Sequence, residues 1–165
     1  MSIRRFEIER FSVTSSSRPF EAVVAAVKAG VGRLDLVEFA KASHSAGGFA
    51  ELEEVINRVP GKTGLMLFLE LDHGAVLRKE TGLDKPKMVR LVIGNPLVMK
   101  EMAKRVPDAG SYAPVTILVD ERSDGVHLTY DRIVSLLAPY GNSGALKVAH
   151  DLDLKVEKLM NEAAA

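Results

Sequence analysis

The chain has 165 residues, which favours one domain with a core of its own. Its 22 Lys and Arg balance 22 Asp and Glu, so no long-range field draws it to nucleic acid or an anionic membrane. It has no cysteine, which excludes disulfides, thiolate catalysis and cysteine-bound metal centres, and no apolar run nears the roughly 18 residues of a membrane span, so the expected location is cytoplasmic.

Residues 3–14 alternate apolar and polar side chains, through Ile3, Phe6, Ile8, Phe11 and Val13. That period predicts an opening strand, with a bulge near Glu9–Arg10 where the parity changes. Ser15-Ser16-Ser17 offers an N-cap for a helix over about 18–29 that buries Phe20, Val23, Val24 and Val27 and stops at Gly30. The basic residues of this stretch, Arg4, Arg5, Arg10, Arg18, Lys28 and Arg33, interleave with Glu7, Glu9 and Glu21 and read as a solvated face. A second short helix is expected over 34–43. Phe49, Leu52, Val55, Ile56 and Val59 mark a third, closed by Pro60-Gly61.

Leu65–Leu71 is apolar on both parities and predicts a central strand. A helix over about 75–81 ends at Gly82, and 87–93 reads as another strand. Gly94-Asn95-Pro96 is a strand-to-helix junction: a turn glycine, an Asn N-cap and a proline at the first helical position. Its helix buries Met99, Met102, Ala103 and Val106 and ends at Pro107. Strands 115–121 and 126–130 form a hairpin about Asp124-Gly125, which sets Tyr130 opposite Val119 and His127 opposite Arg122. A helix near 132–138 and a loop over 139–144 precede a terminal helix whose face is Leu146, Ala149, Leu152, Val156 and Leu159. The order predicts an α+β fold, a mainly antiparallel sheet with helices on one face, with a mixed α/β sheet as the alternative.

The chemistry-bearing residues sit at strand ends. His73 closes the Leu65–Leu71 strand, where a histidine can transfer protons or bind metal at neutral pH, or simply cap the next helix. Glu70 and Asp72 share one face; they can meet over a cation or a shared proton, or form a salt bridge to Arg90, whose fork suits carboxylates. Asn95 and the helix start behind it can face an anion, although the junction lacks phosphate-loop spacing and a capping role suffices. Tyr130 falls on the apolar face of its strand and reads as a core tyrosine with a bonded hydroxyl. Tyr112, in a loop between two prolines, is a candidate pocket wall or interface anchor. No zinc-ligand spacing and no Gly-x-Ser-x-Gly elbow occurs.

Asp72-His73, Gly94-Asn95-Pro96, Pro107, Pro114, Asp124-Gly125 and Tyr130-Asp131 occur in an order that resembles the bacterial domain-of-unknown-function family three hundred and two (DUF302). The resemblance covers 64–131 well, continues into the terminal helix toward residue 160, and is looser over 1–60; the whole chain is read as a single domain. Asp131 and Ala113-Pro114 depart from what many relatives carry. The resemblance implies a compact α+β domain that self-associates, a dimer first, and it supplies no reaction, substrate or cofactor.

The leading expectation is a binding or accessory domain that holds a small ligand or a partner near Glu70, Asp72, His73, Asn95, Tyr112 and Tyr130. One alternative is an enzyme with His73 as general acid/base, oriented by Asp72 or Glu70, and Asn95 or Tyr130 steadying negative charge. Another is metal or haem capture through His73. The cofactor stays unknown, and nucleic acid and membrane are not expected partners.

Overall fold

The computed structural model describes residues 5–165, so Ile3 and Arg4 of the predicted opening strand lie outside the described residues. Strand β1 is Arg10–Ser15, shorter than its alternation suggested. Residues 5–9 pair with no strand among the described residues. The Glu9 carbonyl accepts the Arg132 amide (2.9 Å), and the Phe6 ring stacks on Tyr140 with centroids 5.9 Å apart. Helix α1, Phe20–Gly30, buries Val23, Val24 and Val27 as its period requires. Its N-cap is Pro19 without a side-chain bond, because Ser15 is taken into β1 instead.

Next come β2 (Gly32–Arg33), α2 (Leu36–Ser45) and α3 (Phe49–Asn57). The Asp35 carboxylate caps α2 by accepting the Val37 and Glu38 amides (2.9 and 3.0 Å). Then follow β3 (Met66–Leu71), α4 (His73–Thr81), β4 (Met88–Gly94), α5 (Pro96–Ala103) and a 3-10 turn over Pro107–Ser111. The chain ends with β5 (Val115–Arg122), β6 (Gly125–Asp131), α6 (Ile133–Leu137) and α7 (Ser143–Ala164). No helix among the described residues is long and apolar enough to cross a membrane.

The six strands form one sheet in the order β1-β6-β5-β4-β3-β2, antiparallel except for the β2–β3 pair. The fold is α+β, as the sequence predicts. Its core rows run across the strands: Phe11, Tyr130, Ile117 and Leu91 in one, Val13, Leu128, Val119 and Val89 in the next. Against these rows pack Val23 and Val27 of α1, Met102 of α5, Ile133 and Leu137 of α6, and Ala149, Val156 and Leu159 of α7. Fully burying one such side chain contributes roughly 1.5–3 kcal/mol.

Two expectations about the sheet are corrected. The strand predicted as central, β3, lies second from the edge, flanked on its outer side only by the two residues of β2, and Leu69 remains 44% exposed. The hairpin turn is Ser123-Asp124 rather than Asp124-Gly125, so Tyr130 opposes Ile117 and His127 opposes Asp120. Gly125 is the closing residue of the ladder, with φ +140°, and a Cβ there would press on the Ser15 carbonyl oxygen. The glycine serves the close approach of β1, and the loop falls one residue earlier.

A bulge in β3 decides which side chains meet. The register to β4 shifts between Leu67 and Leu69, leaving Phe68 unpaired. After the extra residue, Glu70 pairs with Leu91 on the helix side and Leu71 pairs with Arg90 on the other. The expected Glu70–Arg90 contact is thereby lost.

Candidate functional site

The strand ends carry two separate recesses, one at each end of β3. At the C-terminal end, Phe20, Glu21, Val24, Glu70, Asp72, Arg78, Asp84 and Lys87 surround a recess of about 260 Å³. Every carboxylate that sequence reasoning placed here has a cation, and none is Arg90. Glu70 accepts from Lys28 Nζ at 2.5 Å. Asp72 caps α4 by accepting the Ala75 amide (2.9 Å) and takes Arg78 Nη2 at 2.7 Å on its other oxygen. Lys87 pairs with Glu21. His73 is the first residue of α4, exposed, with its ring bonded to no described residue. Because Asp72 spends both oxygens on Ala75 and Arg78, and Glu70 is held by Lys28, neither carboxylate orients the imidazole. No group of three or more metal-ligating side chains gathers here or elsewhere among the described residues.

The Arg78 guanidinium, by its hydrogen bond to Asp72, holds that carboxyl below the ordinary aspartate range. A depressed folded-state pKa contributes stability above pH about 3.9, and that stability is lost as the pH falls through the lower folded value. Arg78→Met should therefore raise the Asp72 carboxyl titration, followed by its carbon NMR shift, back toward about 3.9. An unchanged titration would mean that the pair does not hold in solution.

The second recess, about 140 Å³, lies at the other end of β3 and is lined mostly by apolar groups, with Phe68, Pro96, Val98, Met99, Pro114 and Leu152 forming most of its wall. Local sequence builds it. The bulge leaves Phe68 free to turn toward it, and Gly94 keeps the space open, since a Cβ there would meet Pro114 at 3.2 Å. Asn95 starts α5: its Oδ1 accepts the Leu97 amide (2.8 Å), while its Nδ2 donates to the Gly64 carbonyl (2.9 Å). The side chain thus ties β3's entry loop to the helix start and keeps only the rest of its acceptor capacity for a ligand. Asn95→Ala should lower stability by about 2 kcal/mol in urea unfolding, and Asn95→Asp, which keeps the cap acceptor, by about 1 kcal/mol. Equal losses would show that the cap to Leu97 contributes nothing, and no loss in Asn95→Asp that the Gly64 bond contributes nothing.

Tyr130 belongs to neither recess. It is 1% exposed, and its hydroxyl donates to Asp153 Oδ1 at 2.6 Å. Burial, then the Asp153 carboxylate, push the phenol well above its ordinary range. Tyr112 is half-buried, its hydroxyl 3.1 Å from that of Tyr140, which donates to Asp108. Of that loop, Ala113 and Pro114 line the apolar recess and Tyr112 does not. The six candidates therefore occupy four places: Glu70, Asp72 and adjacent His73 at one end of β3, Asn95 at the other, Tyr130 in the core, and Tyr112 beside Tyr140.

Two motifs that carry the sequence resemblance, Gly94-Asn95-Pro96 and Pro114, meet in the apolar recess. The domain of unknown function DUF302 matches residues 39–163. The chain belongs to the DUF302 family. The match reaches upstream of the 64–131 block, through α3 and into α2. A crystal structure of an uncharacterized conserved DUF302 protein from Bacillus stearothermophilus shares the fold, with a TM-score of 0.63 over 93% of this chain and 97% of that one, at 14% identity. No curated protein matches.

Sequence reasoning on this DUF302 chain passed over three residues that organise it. Asp153 sits four residues after Ala149 and three before Val156, on the buried face of α7; an acid in that register was the available signal. Phe68 carried no signal, because a bulge within an apolar run leaves the run looking continuous. Arg78 lies six residues after Asp72, on a helix whose entry angle the sequence leaves open.

Proposed function

We propose that this DUF302 chain is a binding accessory domain whose small-molecule site is the apolar recess at Gly94-Asn95-Pro96, and that its ligand is compact, uncharged and apolar, such as a small aromatic ring. The observation that carries the reading is the recess wall itself: Phe68, Pro96, Val98, Met99, Pro114 and Leu152 around about 140 Å³, with the Asn95 side chain engaged to Leu97 and Gly64. Apolar cavities of about 150 Å³ stay dry and take up benzene-sized molecules. Leu152 also belongs to the main core, so a bound ring touches α5 and the long helix α7 together.

Benzene and indole titrated against methyl-labelled protein test the reading. The expected result is saturable shifts at Val98, Met99 and Leu152, lost in Val98→Phe, which fills the recess. Shifts that do not saturate, or that persist in Val98→Phe, would sink it. The proposal includes a cytoplasmic homo-oligomer, a dimer first. Sedimentation velocity at micromolar concentration checks the assembly, and a single species with the mass of one chain removes that part.

A further inference from the structure

The face of the sheet turned away from α1 and α7 carries a row that runs Leu71, Arg90, Leu118, Thr129, Ser12, with Leu69 and Val92 paired beside it. Arg90, Leu69 and Ser12 are exposed; Leu71, Val92, Leu118 and Thr129 are half-buried. Arg90 stands at the middle of β4, between Leu71 and Leu118 across the strands and Met88 and Val92 along its own. It has no carboxylate at ion-pair distance among the described residues. Arg10, Arg78, Arg122 and Arg132 each hold one. The acids of the same face are taken: Asp131 by Arg10 at 2.7 Å and Asp120 by Arg122 at 2.5 Å. The β3 bulge creates this situation, because it moves Glu70 to the helix side and leaves Arg90 facing a leucine.

We infer that this sheet face docks an acidic amphipathic segment of another protein, with the segment's carboxylate on Arg90 and its apolar side chains on Leu69, Leu71, Val92 and Leu118. An unpaired guanidinium ringed by aliphatic side chains has the make-up of an interface centre: the fork takes a carboxylate in two hydrogen bonds, and the surrounding apolar contacts exclude water from them. Charge complementarity selects the occupant. A second copy of this chain brings no free carboxylate on this face, and a two-fold pairing through Arg90 sets guanidinium toward guanidinium. The face is a broad sheet surface, which suits a helix or extended segment. It is separate from the ligand recess, so either assignment can fail without the other.

The experiment is selection of a random 12-residue peptide display library on the full chain, followed by calorimetry and amide NMR with the enriched peptides. Enriched peptides should carry Asp or Glu amid apolar residues and shift the amides of Val89–Val92 and Ile117–Val119. Arg90→Glu should weaken them by about 30-fold or more, and Arg90→Lys by about 10-fold as the two-pronged geometry is lost. Changing the peptide's acid to Lys should restore binding to Arg90→Glu, which also shows that this variant is folded. Several outcomes overturn the inference: no enrichment, peptides without an acid, equal affinity for Arg90→Glu, shifts away from this face, or a dimer that Arg90→Glu dissociates, which would make the occupant a second copy.

Discussion

Replacing Asp153 with Ala should remove about 4 kcal/mol of folding stability, measured by urea unfolding with an unchanged denaturant slope. Asp153 is completely buried, and its two oxygens accept the Tyr130 hydroxyl (2.6 Å), the Ile133 amide (2.9 Å) and the Val134 amide (3.1 Å). The last two are unsatisfied donors at the start of α6, so one carboxylate from α7 caps another helix and fixes the end of β6. Arg132 stands beside it, its Nε 3.8 Å from Asp153 and 2.8 Å from Glu157. Alanine strands two backbone donors and a buried tyrosine hydroxyl, and it removes part of the charge balance of the half-buried Arg132. Asp153→Asn keeps one acceptor oxygen and should lose about 2 kcal/mol. A loss below about 1 kcal/mol for the alanine variant would mean that water replaces the carboxylate and the network is not a fold determinant.

Gly32→Ala should destabilise the chain by about 3 kcal/mol, although it adds a single methyl group to a two-residue strand. The reason is backbone against backbone. A Cβ on Gly32 would fall on the Val59 carbonyl, and one on Gly61 would fall between the Val31 carbonyl carbon and the Gly32 amide. The Leu65 carbonyl accepts both the Gly32 amide (2.8 Å) and the Gly61 amide (3.0 Å), so the two segments cannot separate without breaking shared bonds. Overpacking against a flexible side chain relaxes; against a carbonyl held on both sides it does not. The β2–β3 pair and the entry of β3 should loosen together, seen as lost amide protection at Gly32 and Leu67. A variant within about 0.5 kcal/mol of the parent, with protection intact, would show that the crossing has room to give.

Particular elements show how far residue order reaches. The alternation of 115–121 and 126–130, with Asp-Gly between them, identifies a hairpin because side-chain period and turn chemistry are local properties. Gly94-Asn95-Pro96 identifies a capped helix start for the same reason, and Asn95 caps as read. Tyr130 was legible as a core tyrosine with a bonded hydroxyl, since its parity with Val126 and Leu128 places it on the apolar face. Its partner was not legible, because Asp153 is 23 residues away on an element whose approach no local rule gives. The Glu70–Arg90 pairing failed on one unpaired residue: parity counting assumes an unbroken ladder, and Phe68 breaks it. The rank of β3 in the sheet failed too. An apolar run reports burial and carries no information on which strands lie to either side.

The candidate site divides along the same line. Sequence alone determined which residues end strands and start helices, and hence that Glu70, Asp72, His73 and Asn95 lie where side chains can leave the core. Only the tertiary structure decided that they belong to opposite ends of β3, that the acids are held by Lys28 and Arg78, that Gly94 and Pro114 frame an apolar recess with Phe68, and that Arg90 has no ion-pair partner among the described residues. Local periodicity and capping are set by neighbours a few residues apart. Register, strand order and long-range ion pairs depend on how whole elements pack, and a single bulge or an entry angle changes them without leaving a mark in the local pattern.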